Sequence, residues 1–177
     1  MEFHLTESPL VLQRTPVILH TLLDELPDNW HRVTEGPGTW SPFDVIGHLV
    51  HGERTDWIPR TEHILNYGNT VPFPPFDREA MFTESSGLSM ANLLTSFAQL
   101  RTASLSRLQA LGLTENDMDR RGLHPALGEV TLGQHLATWV AHDLSHINQV
   151  VRTLAVQYTD AVGPWRQYLS ILRATAR

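Results

Sequence analysis

The sequence predicts an all-α protein, a four-helix bundle with a short extra C-terminal helix. Three observations carry this. Apolar residues recur at helical spacing in four stretches, each stretch opens on a recognisable start signal, and no convincing alternating strand interrupts them. With 177 residues and 41% hydrophobic content, residues 1–177 read as one domain.

The first helix is expected from about Thr15 to Leu26, with Thr15 as cap and Pro16 at the first helical position. Val17, Leu19, Leu22, Leu23 and Leu26 form its stripe, and Pro27 ends it. The second opens at Ser41-Pro42-Phe43-Asp44, where Ser41 can cap and the Asp44 charge favours the helix N-terminus. Ile46, Val50, Trp57 and Ile64 mark its buried face to about Leu65. Residues 66–87 read as a long loop centred on Phe73-Pro74-Pro75-Phe76, the kind of connection that forms a lid or a contact segment. Left exposed, Phe73 and Phe76 would present apolar surface, so they are expected to contact a partner or the bundle itself.

The third helix is placed at about Ser89–Leu111, stopped by Gly112. The connection 112–130 leads to the fourth helix, capped by Thr131 with Gln134 completing a capping box, and running to about Tyr158. Its stripe is Leu132, Leu136, Trp139, Val140, Ile147, Val150, Val151 and Leu154. The extra helix is expected over about Pro164–Thr175.

A net charge of −6 argues against nucleic acid as the main partner. No apolar run approaches the roughly 20 residues a membrane span needs. Met1-Glu2-Phe3-His4 lacks the features of a signal peptide, and there is no cysteine, so a cytoplasmic location is expected. The ten histidines first point to a metal.

On a wheel of about 3.6 residues per turn, His135, His142, His146, Gln149 and Thr153 occupy one shoulder of the fourth-helix stripe. His142 and His146 are one turn apart, a spacing that lets two imidazoles reach one ion. Alone, that pair leaves a metal site and a structural role equally open. His48, two turns into the second helix beside Val45 and Leu49, can bring a third imidazole across the bundle. The three would leave an open position for water or substrate. Free histidine titrates near pH 6.5, so protons are expected to displace a metal held this way at pH 5.

Trp40-Ser41-Pro42-Phe43-Asp44-Val45-Ile46-Gly47-His48-Leu49, followed by His142-Asp143-Leu144-Ser145-His146-Ile147-Asn148-Gln149, resembles the DinB/YfiT-like family. Phe76-Asp77-Arg78-Glu79 and Gly128-Glu129-Val130-Thr131-Leu132 resemble it too, and the likeness covers about residues 10–158. The resemblance implies a four-helix bundle, often a homodimer, holding a divalent metal through histidines that match His48, His142 and His146. It also implies a small-molecule substrate. Members with known activity include transferases and an isomerase that use low-molecular-weight thiols such as bacillithiol or mycothiol. Zinc or nickel suits three histidines best, with iron also admitted. The expected function is therefore a metal-dependent thiol S-transferase or hydrolase; the alternative is a non-catalytic metal- or ligand-binding stress-response protein.

The neighbours carry their own expectations. His51 is an alternative ligand but is expected as a surface histidine. His135, two turns from His142, is expected to line the pocket or face solvent. Asp143 falls inside the apolar stripe, where a carboxylate needs a partner. It either orients a ligand histidine or forms an ion pair with Arg60 or Arg152. Gln149 is a second candidate to support the ligands. Glu53 is expected to meet Arg60. Trp40, Trp57 and Trp139 are read as core.

Overall fold

The computed structural model describes residues 2–173. They form a four-helix bundle built from α2 with its short companion α1, the α4–α5 pair, α7 and α8. The elements, in order, are α1 (Ser8–Leu12), α2 (Arg14–Leu23), α3 (Asp28–Arg32), α4 (Pro42–Thr55), α5 (Trp57–Tyr67), α6 (Ala80–Glu84) and α7 (Met90–Ala110). A 3₁₀ turn (Glu115–Asp119) and a hairpin of β1 (Arg121–His124) and β2 (Gly128–Thr131) precede α8 (Leu132–Val156).

Local chemistry sets three of the starts. Ser41, Ser89 and Thr131 each accept from a backbone N–H three residues on, and Asp44, Asn92 and Gln134 return the bond. Such caps are worth about 1 kcal/mol each, enough to fix where a helix begins.

The third expected helix is α7, and other boundaries differ from the expectation. The first predicted helix begins earlier, as α1 and α2, and Thr15 is fully buried inside α2 and caps nothing. It also ends at Leu23, because Asp24 is extended and Glu25 takes a left-handed φ of 61°. Leu19 and Leu23 hold the core position foreseen for them, whereas Val17 faces outward.

The second predicted helix is two. Pro59 has no N–H to offer the Thr55 carbonyl, and the chain breaks into α4 and α5 at Asp56. The 66–87 loop contains α6, and its centre docks on the bundle. Phe73 is 2% exposed, and its backbone N–H donates to the Leu123 carbonyl of β1 at 2.9 Å.

No strand was expected over 112–130, yet β1 and β2 pair antiparallel from Arg121↔Thr131 to His124↔Gly128. Gly122 permits this docking, since a Cβ there would lie 2.6 Å from Ile64 and 2.7 Å from Phe73. The C-terminal segment forms 3₁₀ turns at Gly163–Tyr168 and Ser170–Leu172 in place of an α-helix, and Thr175 lies outside the described residues. Leu172 seats this segment, buried where it packs on α8.

The apolar core has two parts. One joins Leu19, Phe43, Ile46, Leu93, Phe97 and Val150; the other joins Leu12, Trp57, Ile64, Phe73, Leu132 and Trp139. On α4–α5, α7 and α8 alike, a charged residue falls in sequence between them: Glu53, Arg101 and Asp143. The Arg101 guanidinium donates to Glu53 Oε1 (2.8 and 3.0 Å), to Asp143 Oδ1 and Oδ2 (3.0 and 2.5 Å) and to the Leu12 carbonyl (2.7 Å). Trp139 Nε1 donates to the same Glu53 oxygen at 3.2 Å. This corrects the expected partners. Asp143 meets neither Arg60 nor Arg152, and Glu53 does not meet Arg60, whose Nε lies 2.9 Å from Asp56. Among the described residues, no helix is long and apolar enough to cross a membrane.

Candidate metal centre

His48 comes from the second turn of α4, and His142 and His146 from successive turns of α8. The α4 turn lies close to its neighbours: a Cβ on Gly47 would sit 2.5 Å from Ser85 Oγ, just beyond α6. Across the bundle, His48 Nε2 lies 3.0 Å from His142 Nε2, which lies 3.1 Å from His146 Nε2. One nitrogen from each of the three falls within 4.8 Å of the others, a group that could hold a metal ion.

The donor chemistry fits a cation. At zinc–nitrogen bonds of about 2.0–2.1 Å, tetrahedral ligand nitrogens stand about 3.3–3.4 Å apart, a few tenths of an ångström from the two separations that involve His142, while all three nitrogens stay within 4.8 Å of one another. Burial, helped by the neighbouring imidazoles, pushes the His142 pKa down to about 2 and that of His48 to about 3. His146 is also lowered by burial, against the opposing influence of Gln149 and Asp143. All three rings are therefore neutral, the form that ligates. Three neutral nitrogens so close cannot all be satisfied by protons, and a cation would resolve their crowding. The expectation of proton competition at pH 5 is thereby revised. Folded His48 and His142 stay unprotonated there, because their surroundings disfavour the charged ring.

The rings are held in different ways. His146 Nδ1 lies 2.9 Å from Gln149 Oε1. His48 Nδ1 and His142 Nδ1 are buried without a hydrogen-bond partner. Aromatic packing positions those two: Trp40 and Phe76 lie 4.9 and 5.5 Å from the His48 ring, and Trp57 lies 5.0 Å from His142. Asp143, a candidate to orient a ligand histidine, bonds Arg101 and no histidine.

His51 stands outside the cluster. It is buried, not at the surface as expected, with Nδ1 3.0 Å from Glu84 Oε1. His135 is 8% exposed and lines the cavity. Its Nε2 donates to the Trp57 carbonyl at 3.0 Å, and burial lowers its pKa to about 4. Arg101 and Arg78 carry no role in the sequence reading, and Phe76, expected as a loop contact, also lines the cavity. For Arg101 a signal existed, since Leu94, Arg101 and Leu108 repeat at heptad spacing and put a cation on the buried face of α7.

The three histidines open onto a cavity of about 720 Å³, within the range of small-molecule sites. Trp40, Trp57, Phe76, Arg60, Arg78 and His135 are among the residues that line it.

The solved structure of YfiT from Bacillus subtilis, described as a probable metal-dependent hydrolase with an unusual four-helix bundle topology, is similar to this fold. The TM-score is 0.74 and the identity 21%, over 86% of this chain and 87% of that one. No curated protein sequence matches the chain. The sequence profile of the DinB superfamily matches residues 12–150, which span α2 to most of α8 and include all three clustered histidines. The chain belongs to the DinB superfamily.

Proposed function

We propose that this protein is a metal-dependent enzyme that acts on a small molecule, with His48, His142 and His146 as the ligands of one divalent ion. The convergence of three neutral Nε2 atoms on one wall of an open cavity carries the reading. A divalent ion held by three imidazoles supplies Lewis acidity and lowers the pKa of a water or thiol at its open position. Zinc or nickel suits the donor set, and iron is admitted by it.

The chain's own residues do the rest. Gln149 fixes the His146 ring, while Trp40, Trp57 and Phe76 shape a mostly apolar approach. His135 donates its Nε2–H to the Trp57 carbonyl, which leaves Nδ1 as an acceptor on a ring that lines the cavity. The nucleophile is water in a hydrolase and a low-molecular-weight thiol in an S-transferase. The likeness to YfiT favours the first and the family resemblance favours the second. A homodimer in the cytoplasm belongs to the same proposal; exposed Val17, Ile18 and Leu144 offer apolar surface for the dimer contact.

The test assays the metal-loaded protein with activated esters, and separately with a chlorinated aromatic electrophile plus a small thiol. Turnover in one arm that disappears in His48→Ala is the expected result. Bound metal with no turnover in either arm would favour the non-catalytic binding protein.

A further inference from the structure

Two arginines line the cavity, and their situations differ. Arg60 is committed: its Nε faces Asp56 at 2.9 Å, its Nη2 donates to the Pro74 carbonyl at 3.4 Å, and its guanidinium lies 5.3 Å from the Phe73 ring centre. Arg78 has no ion pair and no side-chain hydrogen bond among the described residues. Its backbone is nevertheless well placed. Asp77 Oδ1 accepts from the N–H groups of Glu79 and Ala80 at 2.9 and 3.2 Å, which fixes the turn that enters α6. The Arg78 charge also reaches the histidines, since it contributes to the lowering of both His48 and His142.

The charge balance is local and unusual for this chain. The protein carries a net charge of −6, yet its cavity is lined by two arginines against one carboxylate, Asp56, which Arg60 already faces. A divalent ion would raise the positive potential further. A guanidinium presents a planar fork of donors that matches an oxyanion, and exposed Arg78 holds that fork uncommitted at the cavity wall. Trp40, Trp57 and Phe76 offer an apolar surface in the same cavity.

We infer that the cavity takes a small molecule with an apolar body and one oxyanion, and that Arg78 is the specificity-determining residue that binds the oxyanion. This rests on the proposed function only in placing the reacting group toward the histidines. The anion contact itself requires no ion.

Benzoate and benzamide, nearly equal in shape, separate the charge from the body. Their affinities are measured by calorimetry on metal-loaded and on chelator-treated protein, for wild type, Arg78→Gln and the remote control Arg14→Gln. Benzoate is expected to bind wild type about tenfold more tightly than benzamide, the size of one charge-assisted hydrogen bond. That preference should vanish in Arg78→Gln, remain in Arg14→Gln and survive removal of the metal. A thermal melt shows that Arg78→Gln is folded. Equal binding of the two probes, binding of neither, or a preference retained in Arg78→Gln overturns the inference. A benzoate preference that needs the metal and ignores Arg78 would place the anion on the ion, leaving the metal reading intact. A protein that takes up no metal but keeps the Arg78-dependent preference would sink the metal reading alone.

Discussion

Two sets of polar side chains lie within this bundle, and they are completed differently. Around Arg101, every guanidinium nitrogen has an acceptor in Glu53, Asp143 or the Leu12 carbonyl, and Glu53 Oε2 alone of the carboxylate oxygens has no hydrogen-bond partner. Around His142, the ring nitrogens face one another, and His48 Nδ1 and His142 Nδ1 have no partner. The first set is fully buried between two apolar clusters in the sequence of three helix segments, whereas the second forms the wall of a cavity. Buried polar groups that satisfy each other hold a structure together; convergent lone pairs that do not are a place for something else. The Arg101 group therefore belongs to the fold, and the histidine group is the one that could hold a metal ion.

The sharpest way to break this comparison is Arg101→Met. It leaves Glu53 and Asp143 as two buried carboxylates without their cation, and should destabilise the fold by about 3–5 kcal/mol in denaturant unfolding. His142→Ala removes a ring that nothing but packing and its neighbouring imidazoles hold, and should leave a folded protein. A mild effect of Arg101→Met would show that the ionic group is dispensable and the contrast misplaced.

The two sets were not equally legible in the sequence. Helix starts at Ser41, Ser89 and Thr131 could be read because capping is local, settled within three residues. The histidine cluster could be read because His142 and His146 sit on one helix at i and i+4, and His48 falls two turns into a second helix of the bundle. Asp143 and Glu53 were visible as misfits in apolar stripes, but their partner was not, since it comes from another helix and depends on how three helices pack. The hairpin was missed because four-residue strands show too little alternation, and they form only where Gly122 lets them meet Ile64 and Phe73. The break at Asp56 was legible in Pro59 and went unused. Phe76 and Arg78 reach the site through loop geometry, which no periodicity encodes.

A smaller effect sharpens the electrostatic half of the contrast. His48 and His142 have pKa values of about 3 and about 2 in the folded protein, below the ordinary 6.5. The unfolded chain takes up their protons as pH falls through about 6.5, while the folded state resists until about 3. Stability of the metal-free protein should thus be fully present above pH 6.5 and decline as pH falls from there toward 3. In His142→Ala the loss between pH 6.5 and 5 should be smaller by about 1–2 kcal/mol, from denaturant midpoints across that range. Metal-loaded protein should keep its ion at pH 5. Identical pH slopes for the two proteins would contradict the buried, neutral state assigned to His142.

The smallest expected effect concerns support of the ligands. Gln149→Leu removes the acceptor at His146 Nδ1, 2.9 Å away, and should weaken metal affinity by about tenfold without changing stoichiometry. Competition with a chromophoric chelator measures it. Unchanged affinity would show that packing alone orients His146, as it does the other two rings.

The most direct test of the central claim is the metal content of protein purified without a nickel column and dialysed after loading with a divalent ion. The account predicts about one ion per chain in wild type, almost none in His48→Ala, His142→Ala or His146→Ala, and an unchanged content in His51→Ala and His135→Ala. Wild type that retains no ion, or a folded His142→Ala that still carries one per chain, would contradict it.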